Sequence, residues 1–453
     1  MTPTDLPAVV RDLLPGLRDD LARLVAIPSV AFPGFPTEPV AEAAQATLEI
    51  LRDAGLHSAE LLEIPGAPSA VFGELPGPEG APTVLLYAHY DVQPAGDESA
   101  WTSPPFELTE RDGRLYGRGA ADDKCGIVLH AGALRALLAG DAELPVTIKV
   151  IIEGEEETGR GTFEKAITAD PDRFAADVIV VADSGNWKVG EPTLTTTLRG
   201  ICVLDVEVRT LAGGPVHSGL FGGPVPDALL ALARLLASLH DDAGNVVVDG
   251  LKQHDWQGRP VDEAEVRASA AVADGVAMIG SGTLADHLYM RPSLTAIGLD
   301  VQPIQGAANA LVPVARARIS ARLAPDEDPV AAQQAIIRHL EAHVPWGAQL
   351  SCTTLEAASG AVLAEDGAAA AAAEQALLEA YGKPSVKVGS GGAIPLCVTL
   401  ATAFPDAEIV LWGASDDAAR IHSADESVNL TELEHATLAE ALLLRRLGSG
   451  NRA

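Results

Sequence analysis

A histidine and an aspartate stand two residues apart directly after an apolar, β-branched run. The run is PTVLLYA, and His89 and Asp91 follow it within the octapeptide YAHYDVQP, residues 87–94. Side chains at positions i and i+2 of a strand lie on the same side, so both can address one point in space. Imidazole and carboxylate groups bind metal ions and transfer protons, so this strand end is a candidate chemical site.

Four other segments carry metal-binding types of side chain at the end of a predicted buried strand or in the loop after it. Ligands of α/β sheets bind beyond the carboxyl ends of the strands, so we expect these clusters to converge. Each cluster alone has an ordinary interpretation, because a strand-end histidine is often a surface residue and EGEEETG could be a solvated acidic loop. The clusters are Asp122 and Asp123 in GRGAADDKCG, Glu153 to Glu157 in EGEEETG, Asp183 in VADSGNW, and His422 in ARIHSADES.

Two of these clusters allow more than one interpretation. GRGAAD resembles part of a dinucleotide-binding glycine loop, but it lacks the spacing to a third glycine that such a loop needs. In EGEEETG, spacing alone cannot decide whether Glu153, Glu155 or Glu156 would act as a base. Adjacent strand residues point to opposite faces, so Glu156 and Glu157 can serve one site only if the strand has already ended.

The predicted elements that must position these residues change character near residue 200. Before it, short apolar runs such as VTIKVIIEG and ADVIVVAD alternate with helical stretches, which predicts an α/β domain with a mixed, mostly parallel sheet between helices. After it, ICVLDVEVRT alternates apolar and polar residues, and the order β-α-β-β-α-β follows. We predict a catalytic domain formed by residues 1–199 and 356–453. The inserted α+β domain, 200–355, would have a four-stranded antiparallel sheet and two helices.

Composition narrows the class of partner and compartment. The chain of 453 residues has 31 basic and 63 acidic residues and a net charge of −32, which argues against nucleic acid and anionic membranes as partners. No apolar run approaches the roughly 18 residues needed to span a bilayer, and the N-terminus does not resemble a signal peptide. Four scattered cysteines show no paired spacing, so we expect a cytoplasmic protein without a disulfide framework.

Taken together, the motifs resemble those of one enzyme family. AHYDVQP, GRGAADDK and EGEEETG occur in that order, and LRGICVLDVEV, HSGLFGG, RPSLTAIGL and GGAIPL extend the similarity over nearly the whole chain. The chain resembles the cytosolic dipeptidase and carnosinase branch of the co-catalytic zinc metallopeptidases. Its relatives include acetylornithine deacetylase, succinyl-diaminopimelate desuccinylase, aminoacylase and glutamate carboxypeptidase.

The resemblance implies a site for two divalent ions, with zinc first and manganese or cobalt as alternatives. Asp122 would bridge the ions, and Asp91 would orient the imidazole of His89 from behind. Glu156 would be the general base, and the family pattern implies a cis peptide between Asp122 and Asp123. His89 and Asp183 would share one ion, and Glu157 and His422 the other.

The resemblance also assigns roles to the inserted domain, as a lid that forms a homodimer. His217 in GPVHSGLFGG would stabilise the oxyanion in the active site of the neighbouring subunit. Arg322 in ISARLAP would bind the C-terminal carboxylate of the substrate through its guanidinium fork. The same pocket would be lined by Arg199, Asn309 and, in the loop GSGGAIP, Ser390, Gly391 and Gly392.

Two departures from the family pattern limit this transfer. Cys125 follows DDK where most relatives carry glycine, and Ala393 stands where carnosinases have serine. The resulting hypothesis is an enzyme that hydrolyses the amide bond of dipeptides or short peptides with a free C-terminus. An N-acyl-amino-acid deacylase with the same site is the alternative, and an inactive homologue acting as a binding or scaffold dimer is a remote one.

Overall fold

The computed structural model describes residues 5–139, 144, 146–363, 366–392 and 394–449. Two compact units are present: one comprises residues 1–196, 363–388 and 396–453, and the other comprises residues 197–362 and 389–395. The predicted inserted domain, 200–355, falls within the residues of the second unit.

The bounds of the regular elements follow the chain. The strands are β1 Glu60–Leu62, β2 Ala70–Leu75, β3 Thr83–His89, β4 Thr109–Arg111, β5 Arg114–Tyr116, β6 Thr147–Glu153, β7 Val178–Val181, β8 Thr193–Leu198, β9 Gly200–Arg209, β10 Val216–His217, β11 Ser293–Asp300, β12 Ala310–Leu311, β13 Val314–Leu323, β14 Gln349–Ala358, β15 Ala361–Val362, β16 Val386–Ser390, β17 Glu408–Leu411 and β18 Ser427–Asn429. The α-helices are α1 Leu6–Val25, α2 Glu38–Asp53, α3 Lys124–Leu138, α4 Thr162–Ala169, α5 Pro171–Phe174, α6 Ser218–Phe221, α7 Ala228–Ala237, α8 Glu263–Ser269, α9 Pro329–His343, α10 Ala368–Tyr381, α11 Pro395–Ala403 and α12 Leu430–Ser449. Short 3₁₀ turns cover Glu98–Ala100, Glu156–Thr158 and Pro345–Gly347, and a π-helical turn covers Asp286–Met290.

The first unit is built on a mixed sheet whose centre is parallel. Its strand order is β1-β2-β6-β3-β7-β17-β8, and the pairs β6–β3, β3–β7 and β7–β17 are parallel. Strands β3, β6 and β7 are almost wholly buried, which explains why they appear in the sequence as continuous apolar runs. The register places His89 opposite Glu153, so the carboxyl ends of two neighbouring strands lie side by side.

Amphipathic helices provide the rest of the first core. Helix α1 begins where the side chain of Asp5 accepts a hydrogen bond from the amide of Ala8, and its apolar side chains are buried in the same cluster as those of α3 and α12. The alanine-rich stretch forms α10, which accords with the high helix propensity of alanine. Burial of these apolar faces fixes the sheet on which the polar strand ends sit.

The second unit contains a four-stranded antiparallel sheet with the order β11-β13-β9-β14. Helices α7 and α9 pack on one face, and their apolar side chains form a separate core with alternate residues of β9 and β13. The opposite face is polar along β13, where Arg316, Arg318, Ser320 and Arg322 succeed one another at every second position. The predicted fold class is therefore confirmed.

All four cysteines, Cys125, Cys202, Cys352 and Cys397, are free thiols. Within the described part of the chain, no helix combines the length and the apolar character that crossing a membrane requires.

Candidate active site

Three neighbouring parallel strands deliver polar side chains to one edge of the first unit's sheet. His89 is the last residue of β3, and Asp183 follows the end of β7 by two positions. Strand β6 ends at Glu153, and the chain then forms the 3₁₀ turn Glu156–Thr158. The strand has therefore ended before Glu156 and Glu157, which allows both side chains to turn toward the same region.

Two loops complete this edge. Asp122 lies just before helix α3, and the peptide bond between Asp122 and Asp123 is cis, as predicted. His422 lies in the irregular segment between β17 and β18, where its backbone adopts a left-handed φ of 61°.

The five predicted metal ligands are brought together in two overlapping trios. In each trio the potential ligand atoms lie within 4.8 Å of one another. Asp122 belongs to both: its Oδ1 is 3.1 Å from Nε2 of His89, and its Oδ2 is 2.9 Å from Nε2 of His422. The trios are His89, Asp122 and Asp183, and Asp122, Glu157 and His422.

Asp91 has more contacts than the sequence suggested. Nδ1 of His89 lies 3.1 Å from the backbone carbonyl of Asp91 and 3.4 Å from its carboxylate oxygen Oδ1. The two carboxylate oxygens also accept the amide hydrogens of Glu156 and Glu157, at 3.2 Å and 3.1 Å. Asp91 therefore fixes both the imidazole of His89 and the turn that carries the two glutamates.

The three candidate glutamates for a base have different environments. Glu153 accepts a hydrogen bond from the Tyr87 hydroxyl at 2.7 Å inside the sheet. Glu155 accepts the amide hydrogens of Thr162 and Phe163 at the start of α4. Glu156 is the one whose carboxylate approaches the trios, with Oε2 4.0 Å from Nε2 of His89.

Burial determines the ionisation of Glu156. It raises the pKa of the carboxyl to about 7, and neighbouring carboxylates act in the same direction while His89 opposes them. A carboxyl whose pKa lies near neutrality can both accept and release a proton under ordinary conditions.

The predicted ligands also have shifted pKa values. Burial, followed by the charge of Asp122, raises the pKa of Asp183 well above its ordinary value. Burial acts against ionisation of Asp122, but hydrogen bonds from His422 and His89 hold its pKa below the usual range. Hydrogen bonds to Asp122 and Glu157 raise the pKa of His422 to about 10. Cations therefore stabilise this group of carboxylates, and in their absence protonated imidazoles supply the positive charge.

Two supporting residues were missed by the sequence analysis. Gln93 donates its backbone amide to Oε1 of Glu157 at 3.2 Å and its side-chain amide to Oε2 at 2.8 Å. Glu426 is fully buried and accepts the amide hydrogens of Ala121 and Asp122. Gln93 could have been found from the sequence, because it lies two residues after Asp91 and so continues the spacing of His89 and Asp91. The segment ARIHSADES reads as a solvated loop and gives no sign that Glu426 is buried.

The predicted substrate-binding residues lie in the second unit, where Arg199 is already engaged. Its guanidinium donates to the backbone carbonyls of His287, Leu288 and Arg291 and to the hydroxyl of Ser293, at 2.8–3.3 Å. Its backbone amide donates to the carbonyl of Gly392 at 3.2 Å. Burial, and then the charge of Arg322, lowers the pKa of Arg199 to about 10.

The other predicted residues of this unit form two neighbourhoods. Arg322 lies half-buried on β13, and its guanidinium has no hydrogen bond or ion pair within the described residues. Ser390 accepts the amide hydrogen of Gly392, with Gly391 between them, whereas Ala393 lies outside the described residues. His217 is exposed on β10, its Nδ1 accepts the amide hydrogen of Gly219, and Asn309 adjoins it through the backbone bond from Ser218.

Comparison with known proteins identifies the family. Residues 85–446 match the profile of "Peptidase family M20/M25/M40". The chain belongs to this peptidase family. Among curated M20 relatives, the chain is 42% identical over 373 residues to the cysteinylglycine-S-conjugate dipeptidase of Corynebacterium striatum, covering 81% of this chain and 82% of that protein. It is 29% identical to the β-Ala-His dipeptidase of Rattus norvegicus, covering 80% and 76% of the two chains.

Solved structures agree with this M20 assignment. The crystal structure of human carnosine dipeptidase 1 superposes with a TM-score of 0.83 at 25% identity, over 98% of both chains. The dipeptidase Dug1p of Saccharomyces cerevisiae has the same fold, with a TM-score of 0.82 at 23% identity over 99% of both chains. The resemblance stated from the sequence motifs is confirmed.

Proposed function

We propose that the protein is a metal-dependent dipeptidase that hydrolyses dipeptides or short peptides with a free C-terminal carboxylate. The observation that carries this proposal is the pair of trios that share Asp122, with the Glu156 carboxylate beside them. Membership of the M20 peptidases supplies the reaction class, and the dipeptidases among its relatives suggest the size of the substrate.

The residues fit two divalent ions. Each trio combines imidazole nitrogen with carboxylate oxygen and contains no sulfur, a donor set that suits zinc and also admits manganese or cobalt. His89 and Asp183 would hold one ion, Glu157 and His422 the other, and Asp122 both. Two such ions would lower the pKa of a shared water and polarise the substrate carbonyl.

Glu156 would transfer the proton. Its carboxylate accepts a proton from the attacking water and delivers it to the nitrogen of the leaving amine. Burial raises its pKa to about 7 without ions, and divalent ions nearby would lower that value, so the carboxylate would be ionised and able to accept the proton of the water at neutral pH. Asp91 would keep Glu156 in place, because it binds the backbone amide of that residue at 3.2 Å.

The second unit would recognise the substrate. Arg322 is the candidate for binding the C-terminal carboxylate, since its guanidinium is free of partners among the described residues and a bidentate pair is strong and directional. Arg199 and the loop with Ser390, Gly391 and Gly392 would shape the pocket, with Asn309 near His217. His217 would stabilise the oxyanion that develops in the transition state of the neighbouring subunit.

We also propose that the chain forms a homodimer through its second unit. Of the nineteen large hydrophobic side chains that are exposed in the described residues, fourteen belong to this unit. Two of them, Ile297 and Leu299, lie on the edge strand β11, and an exposed apolar edge strand is a surface that can pair with a second copy of the chain. The free cysteines are consistent with a reducing, cytoplasmic location.

The direct test uses metal-free protein reconstituted with zinc, manganese or cobalt. S-substituted Cys-Gly, β-Ala-His and unmodified dipeptides would be compared with N-acyl amino acids, and we expect hydrolysis of dipeptides only after an ion is added. Hydrolysis of acylated amino acids without any dipeptide would replace this proposal with the deacylase alternative. Absence of any hydrolysis with all three ions would favour an inactive binding dimer.

The role of His217 has its own test. A His217→Ala subunit and a Glu156→Ala subunit would each be inactive alone. In a statistical mixture, half of the dimers are mixed and each has one intact site, so about a quarter of the wild-type activity should return. No recovery in mixed dimers of proven composition would show that His217 does not act across subunits.

A further inference from the structure

Glu426 is a carboxylate that none of the proposed chemical steps uses, although it is fully buried close to the metal trios. It lies four residues after His422, in the irregular segment between β17 and β18. Its Oε1 accepts two consecutive amide hydrogens, from Ala121 at 2.9 Å and from Asp122 at 3.1 Å. The same chain segment that carries His422 therefore also holds the backbone of the shared carboxylate.

The other oxygen of Glu426 extends this contact to a third segment. Oε2 accepts a hydrogen bond from Nη1 of Arg118 at 2.5 Å, and only 2% of Arg118 is exposed. Nη2 of Arg118 donates to the carbonyl of Pro94 at 3.3 Å. Pro94 directly follows Gln93, whose two amide groups hold the carboxylate of Glu157.

The hydrogen bonds of Glu426 and Arg118 reach the chain segments that carry all three residues of one trio, Asp122, Glu157 and His422. His422 belongs to the segment of Glu426, Asp122 is bound through its amide, and Glu157 is reached through the Pro94–Gln93 peptide. The members that belong only to the other trio, His89 and Asp183, sit at or just beyond the ends of β3 and β7. Parallel pairing places His89 opposite Glu153, and Asp183 lies two positions after the last paired residue of β7, so paired strands carry both positions.

The second trio lacks such support from regular structure. The side chain of His422 is 53% exposed, and Arg420, His422 and Asp425 all have a left-handed backbone that residues other than glycine adopt at a cost. A segment of this kind keeps its conformation only when surrounding contacts enforce it. The buried pair of Arg118 and Glu426 supplies such a contact.

We propose that Glu426, held by Arg118, is a positioning residue that assembles the Asp122, Glu157 and His422 trio before an ion enters. Partners of this type orient metal ligands without touching the ion. The inference rests on the proposed dinuclear function, and it predicts that the two ion positions depend differently on Glu426.

The test measures stepwise ion binding to the Glu426→Gln variant by competition with a chromophoric chelator, using zinc and manganese separately. Glutamine keeps the size of the side chain but has one acceptor oxygen, so the amide clamp and the Arg118 contact cannot both persist. We expect one of the two binding steps to lose about 10- to 100-fold in affinity, while the other, whose trio shares only Asp122 with this network, loses clearly less. Activity should return at high metal concentration, with the KM for the dipeptide unchanged.

A matched control separates positioning from loss of a buried charge. Glu440 is also fully buried and is hydrogen-bonded to His130 at 2.7 Å. The Glu440→Gln variant should leave both ion affinities within about threefold of wild type. If Glu426→Gln does not fold, Arg118→Lys is the alternative variant, because it keeps the charge but removes the fork that joins Glu426 to Pro94. The affinity of the same ion-binding step should fall by roughly tenfold.

Other outcomes would overturn the inference. Unchanged affinities in a folded Glu426→Gln protein, or equal losses at both positions, would show that Glu426 does not position one trio. If the wild-type chain binds no ion or hydrolyses no dipeptide, the proposed function fails instead, and the two failures are thereby distinguished.

Discussion

The two compact units differ in what they bury and what they expose. The first unit buries imidazoles and carboxylates at the ends of parallel strands and leaves few large apolar side chains in solvent: Phe35, Leu138, Val189, Leu378 and Ile421. The second unit has a smaller core, a sheet with a polar face, and many exposed apolar side chains. A sheet buried on both faces suits chemistry that needs fixed geometry, whereas a sheet with a polar face and exposed apolar side chains suits recognition and assembly.

Charge is distributed differently as well. The first unit's site gathers acidic groups whose pKa values shift because they are buried together, as for Asp183 and Glu156. In the second unit, Arg199 and Arg322 lie near enough for one charge to affect the other, and no carboxylate pairs with Arg322 within the described residues. The first arrangement favours cations, and the second favours an anion such as a peptide's terminal carboxylate.

The largest expected effect comes from the first unit. Glu156→Gln removes the only group that we assign to proton transfer, and kcat should fall by about 10²- to 10⁴-fold. Because Asp91 and the trios remain, the ion content measured by atomic absorption should be unchanged. A variant that keeps more than a tenth of the wild-type kcat would contradict the role of Glu156.

The next largest effect tests which of the two units forms the dimer interface. Leu299 lies on the edge strand β11 and is 56% exposed, so Leu299→Lys would bury an unpaired charge if this edge is covered by a second copy. The dimer dissociation constant should rise by about 10²-fold or more, as measured by sedimentation velocity. Leu378→Lys, at a 39% exposed position of the first unit, is the control and should leave the dimer intact. If only Leu378→Lys dissociates the dimer, the interface lies on the first unit and the proposed interface on the second unit is wrong.

A moderate effect tests recognition by the second unit. Arg322→Leu should raise KM for a dipeptide so that kcat/KM falls about 10- to 100-fold, as expected for a lost charge-assisted hydrogen bond. A C-terminally amidated dipeptide should be a poor substrate of both proteins. Arg318→Leu is the matched control, because Arg318 lies on the same face of β13 and already pairs with Asp205 at 2.7 Å. Equal losses from both substitutions would mean that Arg322 does not bind the carboxylate.

The smallest effect concerns protons in the first unit's site. Because hydrogen bonds raise the pKa of His422 to about 10, this imidazole is protonated at pH 7 to 9 when no cation is bound. A divalent ion must displace that proton, so affinity should rise by about tenfold between pH 7 and pH 8 for each proton released. Calorimetry in buffers of different ionisation enthalpy would count the protons, and a pH-independent affinity would argue against His422 as a ligand.

Much of the fold could be predicted from the sequence because burial imposes regular patterns. Apolar runs of strand length predicted β3, β6 and β7, and the alternating run ICVLDVEVRT predicted β9, since each pattern reflects which faces must avoid water. The placement of His89 and Asp183 at strand ends followed from the same patterns. The fixed polarity of parallel strands then predicted that they would lie close together.

The local sequence pattern could not predict which glutamate of EGEEETG would act as the base. Only the tertiary structure shows that Glu153 pairs with Tyr87 and that Glu155 caps a helix. Of these three glutamates, it leaves Glu156 as the one whose carboxylate approaches the trios, 4.0 Å from Nε2 of His89. Three glutamates of equal chemistry differ only in which partners surround them, and these partners come from distant parts of the chain.

By itself, the sequence determined the layered architecture, the strand ends that carry the ligands, and the metal-binding type of the side chains, because periodicity and donor chemistry are local properties. The tertiary structure alone decided that the guanidinium of Arg199 is occupied by backbone carbonyls, while that of Arg322 has no partner among the described residues. It likewise decided that Glu426 is buried rather than solvated. A charged side chain can be satisfied by water, by the backbone or by a ligand, and only the packing of remote segments selects among them.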